Sequence, residues 1–174
     1  MKRASGGLAL CLAVVAGCAL TPPSVDGGLG GRLSVQVDAA APEPARQLSA
    51  GFELRGDPVR GELDLTSPLG TVLAQARWQP GRAELLTPSG NQTFTDLDEL
   101  SRRTFGEPLP LSALFDWLRG RPWAGAASQP LAAGTGFEQL GWQVDTGRLA
   151  DGQLMARRAL APAVTLRVRL EDPR

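Results

Sequence analysis

The sequence predicts an α+β fold that is predominantly antiparallel β: an incompletely closed barrel, or half-barrel, under a short helical lid that encloses an apolar cavity. Three observations predict it. Apolar and polar residues alternate over many short segments, two central stretches change to helical spacing, and 21 glycines and 14 prolines divide the chain into short elements. A twisted sheet curling around two helices satisfies this order of strands, helices and strands.

The strand pattern begins at Arg32, after which Leu33, Val35 and Val37 share one face. Turn signals at residues 80–81 and 89–91 separate later strands and indicate antiparallel hairpins. The other predicted strands show similar alternation and lie near residues 50–54, 62–66, 71–78, 83–87, 93–94, 140–145, 155–159 and 164–171. Residues 38–46 and 122–136 are predicted to be loops.

Two short helices are predicted between the strands. The first spans residues 96–105, with Thr95 or Asp96 as the N-cap, and Gly106 ends it. Residues 108–110 (Pro-Leu-Pro) break the chain, and a second amphipathic helix then continues to Gly120. Because both helices are brief, each must be stabilised by packing its apolar face against the sheet.

The amino terminus has the features of a secretory signal over residues 1–17. Lys2 and Arg3 precede a short apolar run that ends in small residues before Cys18. The run is shorter than the ~20 residues that span a bilayer. Two small residues directly before a cysteine resemble the lipobox of bacterial lipoproteins, whereas Leu10 before Cys11 does not fit. The alternative is an ordinary cleavage signal with an incidental cysteine.

The lipobox resemblance implies that Cys18 becomes the mature amino terminus, with diacylglycerol on its thiol and an acyl chain on its amine. Two or three acyl chains anchor a protein firmly, at about 0.8 kcal/mol per buried CH₂. By resemblance to the sorting rules of enterobacterial lipoproteins, Ala19 after the cysteine favours the outer membrane, with the protein facing the periplasm. We expect residues 18–30, which are rich in proline and glycine, to be a flexible tether, and residues 31–174 to form a single domain.

Composition excludes several classes of function. The chain has no histidine, and Lys2 is its one lysine. His-dependent catalysis, imidazole metal sites and a Ser-Lys pair are therefore excluded from the mature chain. Loss of the signal removes Lys2 and Arg3 and leaves a net charge of about −2, which gives no basic field for nucleic acid. We expect no enzyme activity, no metal and no cofactor beyond the acyl chains on Cys18.

Two motifs carry a family resemblance. Residues 63–71 read Leu-Asp-Leu-Thr-Ser-Pro-Leu-Gly-Thr, and residues 105–122 contain Gly-Glu-Pro-Leu-Pro-Leu followed by Trp-Leu-Arg-Gly-Arg-Pro. Behind a lipobox, this order resembles the LolB family of outer-membrane lipoprotein receptors. The chain departs from that family in its short glycine-rich amino-terminal region and in lacking the usual carboxy-terminal tryptophan. It therefore resembles either a divergent or reduced member or a paralogue with altered cargo.

The resemblance implies a LolA/LolB-like fold and a function. A monomeric receptor would accept acylated lipoprotein cargo from the periplasmic carrier LolA in its apolar cavity and insert it into the outer membrane. Its partners would be LolA, the cargo and outer-membrane phospholipid. The alternative is a structural or assembly lipoprotein that binds a protein partner and has a filled core without a lipid cavity.

The turn formed by Pro68, Leu69 and Gly70 is the first candidate site. Leu69 could fold back onto the core, but so short a turn favours an exposed side chain. The family resemblance implies that an exposed leucine at this position helps to deliver cargo into the membrane.

The second candidate site is the cavity and its lid. The apolar residues of the second helix and the tryptophans on two strands could line a cavity or simply fill the core. Trp117 lies off the leucine stripe, which predicts a position at the rim. The cavity and lid candidates are Trp78, Leu111, Leu114, Phe115, Trp117, Leu118 and Trp142.

The polar candidates have structural explanations. Asp96, Asp98 and Glu99 crowd a helix start, where carboxylates cap free N–H groups and favour the helix dipole. Arg119 and Arg121 flank Gly120, where they could either meet phospholipid head groups or remain solvated.

Overall fold

The computed structural model describes residues 28–171. The predicted signal, Cys18 and residues 19–27 of the predicted tether lie outside the described residues. The first strand begins at Leu29, where Leu29 pairs with Leu54 of the second strand. The last two residues of the predicted tether therefore belong to the sheet, because the long second strand offers them backbone partners.

Eleven strands and two α-helices follow one another along the described chain. The strands before the helices are β1 (Leu29–Val37), β2 (Arg46–Gly56), β3 (Gly61–Thr66), β4 (Val72–Gln79), β5 (Arg82–Thr87) and β6 (Gly90–Phe94). The helices are α1 (Leu97–Phe105) and α2 (Leu111–Trp117). The strands after them are β7 (Ser128–Pro130), β8 (Gly136–Gln139), β9 (Trp142–Asp145), β10 (Gln153–Arg158) and β11 (Val164–Leu170).

All eleven strands form one antiparallel sheet. Its order is β6-β5-β4-β3-β2-β1-β11-β10-β9-β8-β7, so β1 pairs with β11 in the middle. The edge strands β6 and β7 do not pair with each other, and the barrel therefore remains open. This confirms the predicted fold: a predominantly antiparallel, incompletely closed barrel with two helices.

The apolar face of the sheet packs against the helices. In β1, Val35 and Val37 are buried while Arg32 and Gln36 are exposed, as the period of two requires. The core continues through buried residues of the neighbouring strands and joins the buried residues of both helices. Among the described residues, the helices are too short to cross a membrane.

The caps of α1 explain where this helix begins and ends. Asp96 is the N-cap, and its carboxylate accepts a hydrogen bond from the backbone N–H of Glu99 (2.7 Å). Gly106 follows with φ of 78°, a left-handed conformation that ends the helix. The segment from Gly106 to Pro110, here called the lid linker, then carries the chain into α2, which ends at Trp117, three residues before the predicted Gly120.

Three local features differ from the sequence-based expectations. The predicted loop 122–136 contains β7 and the start of β8. Leu140, predicted as a strand residue, lies in the two-residue turn between β8 and β9, with φ of 55°. A turn of this length is usually predicted from Asn-Gly or Asp-Gly. Because Leu140-Gly141 is neither, the sequence did not predict this turn. A short 3₁₀ helix at Leu149–Asp151 precedes β10.

Candidate functional site

An inner cavity lies between the lid and the apolar face of the sheet. Every residue that lines it is apolar, and its volume is about 50 Å³. The sheet contributes side chains from β1 to β4, β9 and β11, and the lid contributes side chains from the end of α1 to Leu118. Such a lining offers dispersion contacts and loss of water to a ligand but no hydrogen bond, which suits a hydrocarbon chain.

The structure divides the predicted cavity and lid residues into two groups. Five line the inner cavity: Trp78, Leu111, Leu114, Leu118 and Trp142. Phe115 is buried behind them and packs edge-on against Trp78, with 5.9 Å between the ring centroids. Trp117 is completely buried, so its predicted position at the rim is wrong.

Trp117 is buried because strands β8 and β9 pack against this part of α2. Its ring packs against Phe137 and Trp142, with centroid distances of 6.3 and 6.2 Å. Its indole N–H donates to the side-chain oxygen of Gln139 (2.8 Å). Trp117, which lies off the leucine stripe, therefore joins α2 to strands β8 and β9.

Gln139 forms a buried polar centre that the sequence analysis missed. Its amide oxygen also accepts from the backbone N–H of Trp123 (2.9 Å), and its amide nitrogen donates to the carbonyls of Trp123 (2.7 Å) and Ala126 (2.8 Å). These bonds join α2, the following loop and β8. The sequence signal that could have identified Gln139 is its spacing of two residues from Phe137. In a strand this spacing places both side chains on the same, inward face.

A wider recess of about 350 Å³, here called the mouth recess, lies next to the inner cavity. Both spaces are lined by Val35, Leu48, Leu65 and Phe105. The recess also includes Leu73 and Ala74 at the start of β4, immediately after the turn that carries Leu69. Mostly apolar side chains therefore extend from beneath the lid to the end of the sheet at which this turn lies, and we call this surface the apolar path. The recess part of it is also lined by Arg46, Gln47, Thr87 and Thr104.

The turn between β3 and β4 projects Leu69 into solvent, where its side chain is 94% exposed. The carbonyl of Ser67 accepts from Gly70 N–H (2.9 Å), and the Ser67 hydroxyl accepts from Leu69 and Thr71 N–H (3.3 and 3.1 Å). Gly70 has φ of 82°, which favours glycine. Because these bonds hold the backbone, Leu69 cannot fold back onto the core.

Two arginines attach the lid linker and the end of α1 to the sheet. Arg158 of β10 forms an ion pair with Glu107, and its guanidinium lies over the Trp142 ring at 5.8 Å. Arg46 at the start of β2 contacts the carbonyl of Phe105 (3.5 Å). The lid is therefore held by apolar packing and by these polar contacts at Phe105 and Glu107.

The other polar candidates have local roles in the structure. Asp96 and Glu99 organise the start of α1, where Glu99 accepts from Thr95 and these bonds lower the pKa of its carboxyl group. Arg119 donates to the carbonyl of Phe115 (2.6 Å), and Arg121 pairs with Asp116 (2.7 Å). Residues 28–171 contain no cluster of carboxylates arranged to hold a metal ion.

These features define the chain as a half-barrel protein with an internal apolar cavity and a projecting apolar turn. The family model described as outer membrane lipoprotein LolB matches residues 28–171, and the chain belongs to this family. The predicted family resemblance is thus confirmed.

Several relatives carry the name outer-membrane lipoprotein LolB. The relative from Bordetella petrii is 36% identical over 163 residues, covering 86% of this chain and 81% of the relative. The relative from Bordetella pertussis is 36% identical over 177 residues, covering 94% and 88%. The relative from Dechloromonas aromatica is 34% identical over 154 residues, covering 79% and 78%.

Proposed function

We propose that this chain is an outer-membrane receptor, and not an enzyme, that accepts acylated lipoproteins from the periplasmic carrier LolA and inserts them into the outer membrane. The apolar path from the inner cavity through the mouth recess to the Leu69 turn carries the proposal. An acyl chain needs an apolar container, and a membrane-delivery step needs an apolar element at its exit. Membership of the LolB family supports the same function.

Lipid attached to Cys18 would hold the receptor at the outer membrane with its domain in the periplasm. Cargo would then pass from LolA without nucleotide, provided that affinity rises along the route. Each 1.4 kcal/mol of additional affinity favours the next acceptor about tenfold. A wholly apolar lining supplies such affinity through buried area alone, and it explains why the lid needs no catalytic group.

Acceptance of an acyl chain would require the inner cavity to widen. Its volume of about 50 Å³ is well below the 300–1,000 Å³ of ordinary ligand pockets. The mouth recess reaches that range, and Leu114 of α2, which is only partly buried, lies beside the cavity. Movement of α2 away from the sheet would join the two spaces, while the contacts of Arg158 and Arg46 keep the lid linker in place.

The direct test is transfer of labelled cargo. A version lacking residues 1–18 is mixed with LolA that carries a radiolabelled lipoprotein, and the two proteins are then separated by an affinity tag. We expect label to move to this protein. Label that stays on LolA, with circular dichroism showing a folded acceptor, would contradict the proposal and favour the assembly lipoprotein that binds a protein partner.

A further inference from the structure

The outer face of the sheet carries a cluster of arginines at its centre. Arg32 of β1 lies directly opposite Arg169 of β11, and Arg167 lies two residues from Arg169 on the same face. All three side chains are exposed. We call these three residues the arginine face. Adjacent strands thus place like charges side by side, an arrangement that destabilises a sheet.

Within residues 28–171, the side chains of the arginine face form no ion pair or hydrogen bond. Two other exposed strand arginines are paired, Arg77 with Glu62 and Arg82 with Glu84. Arg157 of β10 is exposed on the same face as Arg167 and, among the described residues, also has no ion pair. Glu171 is the one carboxylate beside the arginine face in the groove described next, and it pairs with none of the three arginines. The cluster therefore has an excess of positive charge that the described part of the protein does not neutralise.

A groove of about 530 Å³ separates the arginine face from the Leu69 turn. One wall is the arginine face, and the other is formed by Thr66, Ser67, Pro68 and Gly70. Ser34 and Ser49 add hydroxyl groups to the lining. Gly51 leaves space at the base of the groove for the Thr66 side chain, since a Cβ atom there would lie 2.7 Å from the Thr66 hydroxyl oxygen. The groove thus offers guanidinium and hydroxyl donors next to the turn that carries the exposed Leu69.

We propose that this groove binds the phosphate of an anionic phospholipid head group in the bilayer that Leu69 enters. Guanidinium groups bind phosphate oxygens through paired N–H donors, and an anionic leaflet attracts basic residues near its surface. A bilayer presents phosphate and hydrocarbon at adjacent depths, which matches a phosphate-binding groove beside an apolar tip. The inference rests on the proposed function, because it gives the Leu69 turn a defined membrane partner.

Arginine-specific modification tests this contact at single residues. The full-length acylated protein is anchored in vesicles of phosphatidylcholine, alone or with phosphatidylglycerol, and phenylglyoxal modification is followed by mass spectrometry. Arg60 is the internal control, because it is exposed in the turn at the other end of β3 from Ser67. We expect phosphatidylglycerol to slow modification of the arginine face about fivefold per arginine relative to Arg60.

Two variants and one soluble probe complete the test. For the variants, protection is the ratio of modification rates in vesicles without and with phosphatidylglycerol. Arg169→Gln is expected to reduce the protection of Arg32 and Arg167, whereas Arg60→Gln leaves it unchanged. Equal slowing at Arg60, or equal protection by phosphatidylcholine alone, would overturn the proposal. Protection by inorganic phosphate without vesicles would show a site for a free anion and would also overturn it.

The outcome can be separated from that of the receptor proposal. The modification experiment contains neither LolA nor cargo, so it reports lipid contact whether or not cargo is transferred. Transfer from LolA in solution requires no vesicles and is expected to be unchanged in Arg169→Gln. If the groove does not bind lipid, only the modification experiment fails. If the protein is not a receptor, only the transfer of cargo from LolA fails.

Discussion

Leu69 exposes almost its entire side chain at a turn held by three hydrogen bonds to Ser67. An isolated exposed leucine is unremarkable, but this one follows Pro68 and precedes a left-handed glycine, so its exposure is built into the backbone. Val72, which starts the next strand, is 54% exposed and enlarges the apolar tip. The tip is therefore suited to enter a membrane.

We predict that Leu69→Glu separates delivery from reception. The variant should accept cargo from LolA normally, since Leu69 does not line the inner cavity or the mouth recess. Delivery of radiolabelled cargo to vesicles should fall about tenfold or more, because a carboxylate opposes entry into hydrocarbon. Val59→Glu, at a residue 59% exposed in the turn between β2 and β3, is the control. Normal delivery by a folded Leu69→Glu variant would exclude this role.

Gln139 contributes to stability because four hydrogen bonds converge on one buried amide. We predict that Gln139→Leu lowers the free energy of unfolding by at least about 2 kcal/mol, since buried donors of Trp117 and Trp123 lose their acceptor. Gln143→Leu, the same change at an exposed position on β9, should alter it by less than about 0.5 kcal/mol. Urea unfolding measures both values, and similar midpoints would contradict this role of Gln139.

At the scale of elements, the helices depend on their ends and on the sheet. Helix α1 has nine residues and α2 has seven, so neither would be stable in isolation. Asp96 caps α1, and α2 has no side-chain cap. Burial of Leu111, Phe115 and Trp117 against the sheet stabilises α2 instead. The position of α2 is therefore set by its packing against the sheet and not by its own helical stability.

We predict that Asp96→Ala destabilises the protein by about 1 kcal/mol without abolishing cargo reception, because Asp96 caps a helix and does not line the cavity. Asp98→Ala is the control, since Asp98 is exposed in the first turn and is not the cap residue. Thermal unfolding should show a lower midpoint for Asp96→Ala than for Asp98→Ala. Complete loss of reception in a folded Asp96→Ala protein would indicate a functional role for this carboxylate.

At the scale of the whole molecule, the curved face of strands β1 to β5 and the lid together create the apolar path. Leu48 lies where the inner cavity and the mouth recess meet, and it is only partly buried. Because Leu48 is only partly buried, a substitution there changes the lining of the apolar path without leaving a void in the core. The function of the molecule is therefore testable separately from its stability.

We predict that Leu48→Glu weakens saturable binding of a fluorescent fatty acid at least about tenfold, because a charge placed in an apolar path is poorly solvated when a chain covers it. Gln36→Glu places the same charge on the outer face of the neighbouring strand β1 and should bind normally. A fluorescence titration of each folded variant measures the affinity. Equal affinities would show that the acyl chain does not pass Leu48.

The sequence alone determined the order of strands and helices, the open antiparallel fold and the family, because period-two alternation, helix caps and turn motifs are local signals. It placed Trp117 at the rim and missed Gln139, since these two residues pack and bond with elements distant in the sequence. It placed Leu140 in a strand because Leu140-Gly141 is not a usual hairpin signal. Only the tertiary structure decided that the inner cavity and the mouth recess are neighbours and that the arginine face lies across a groove from the Leu69 turn. Sheet curvature and register create these neighbours, and a local pattern does not encode either one.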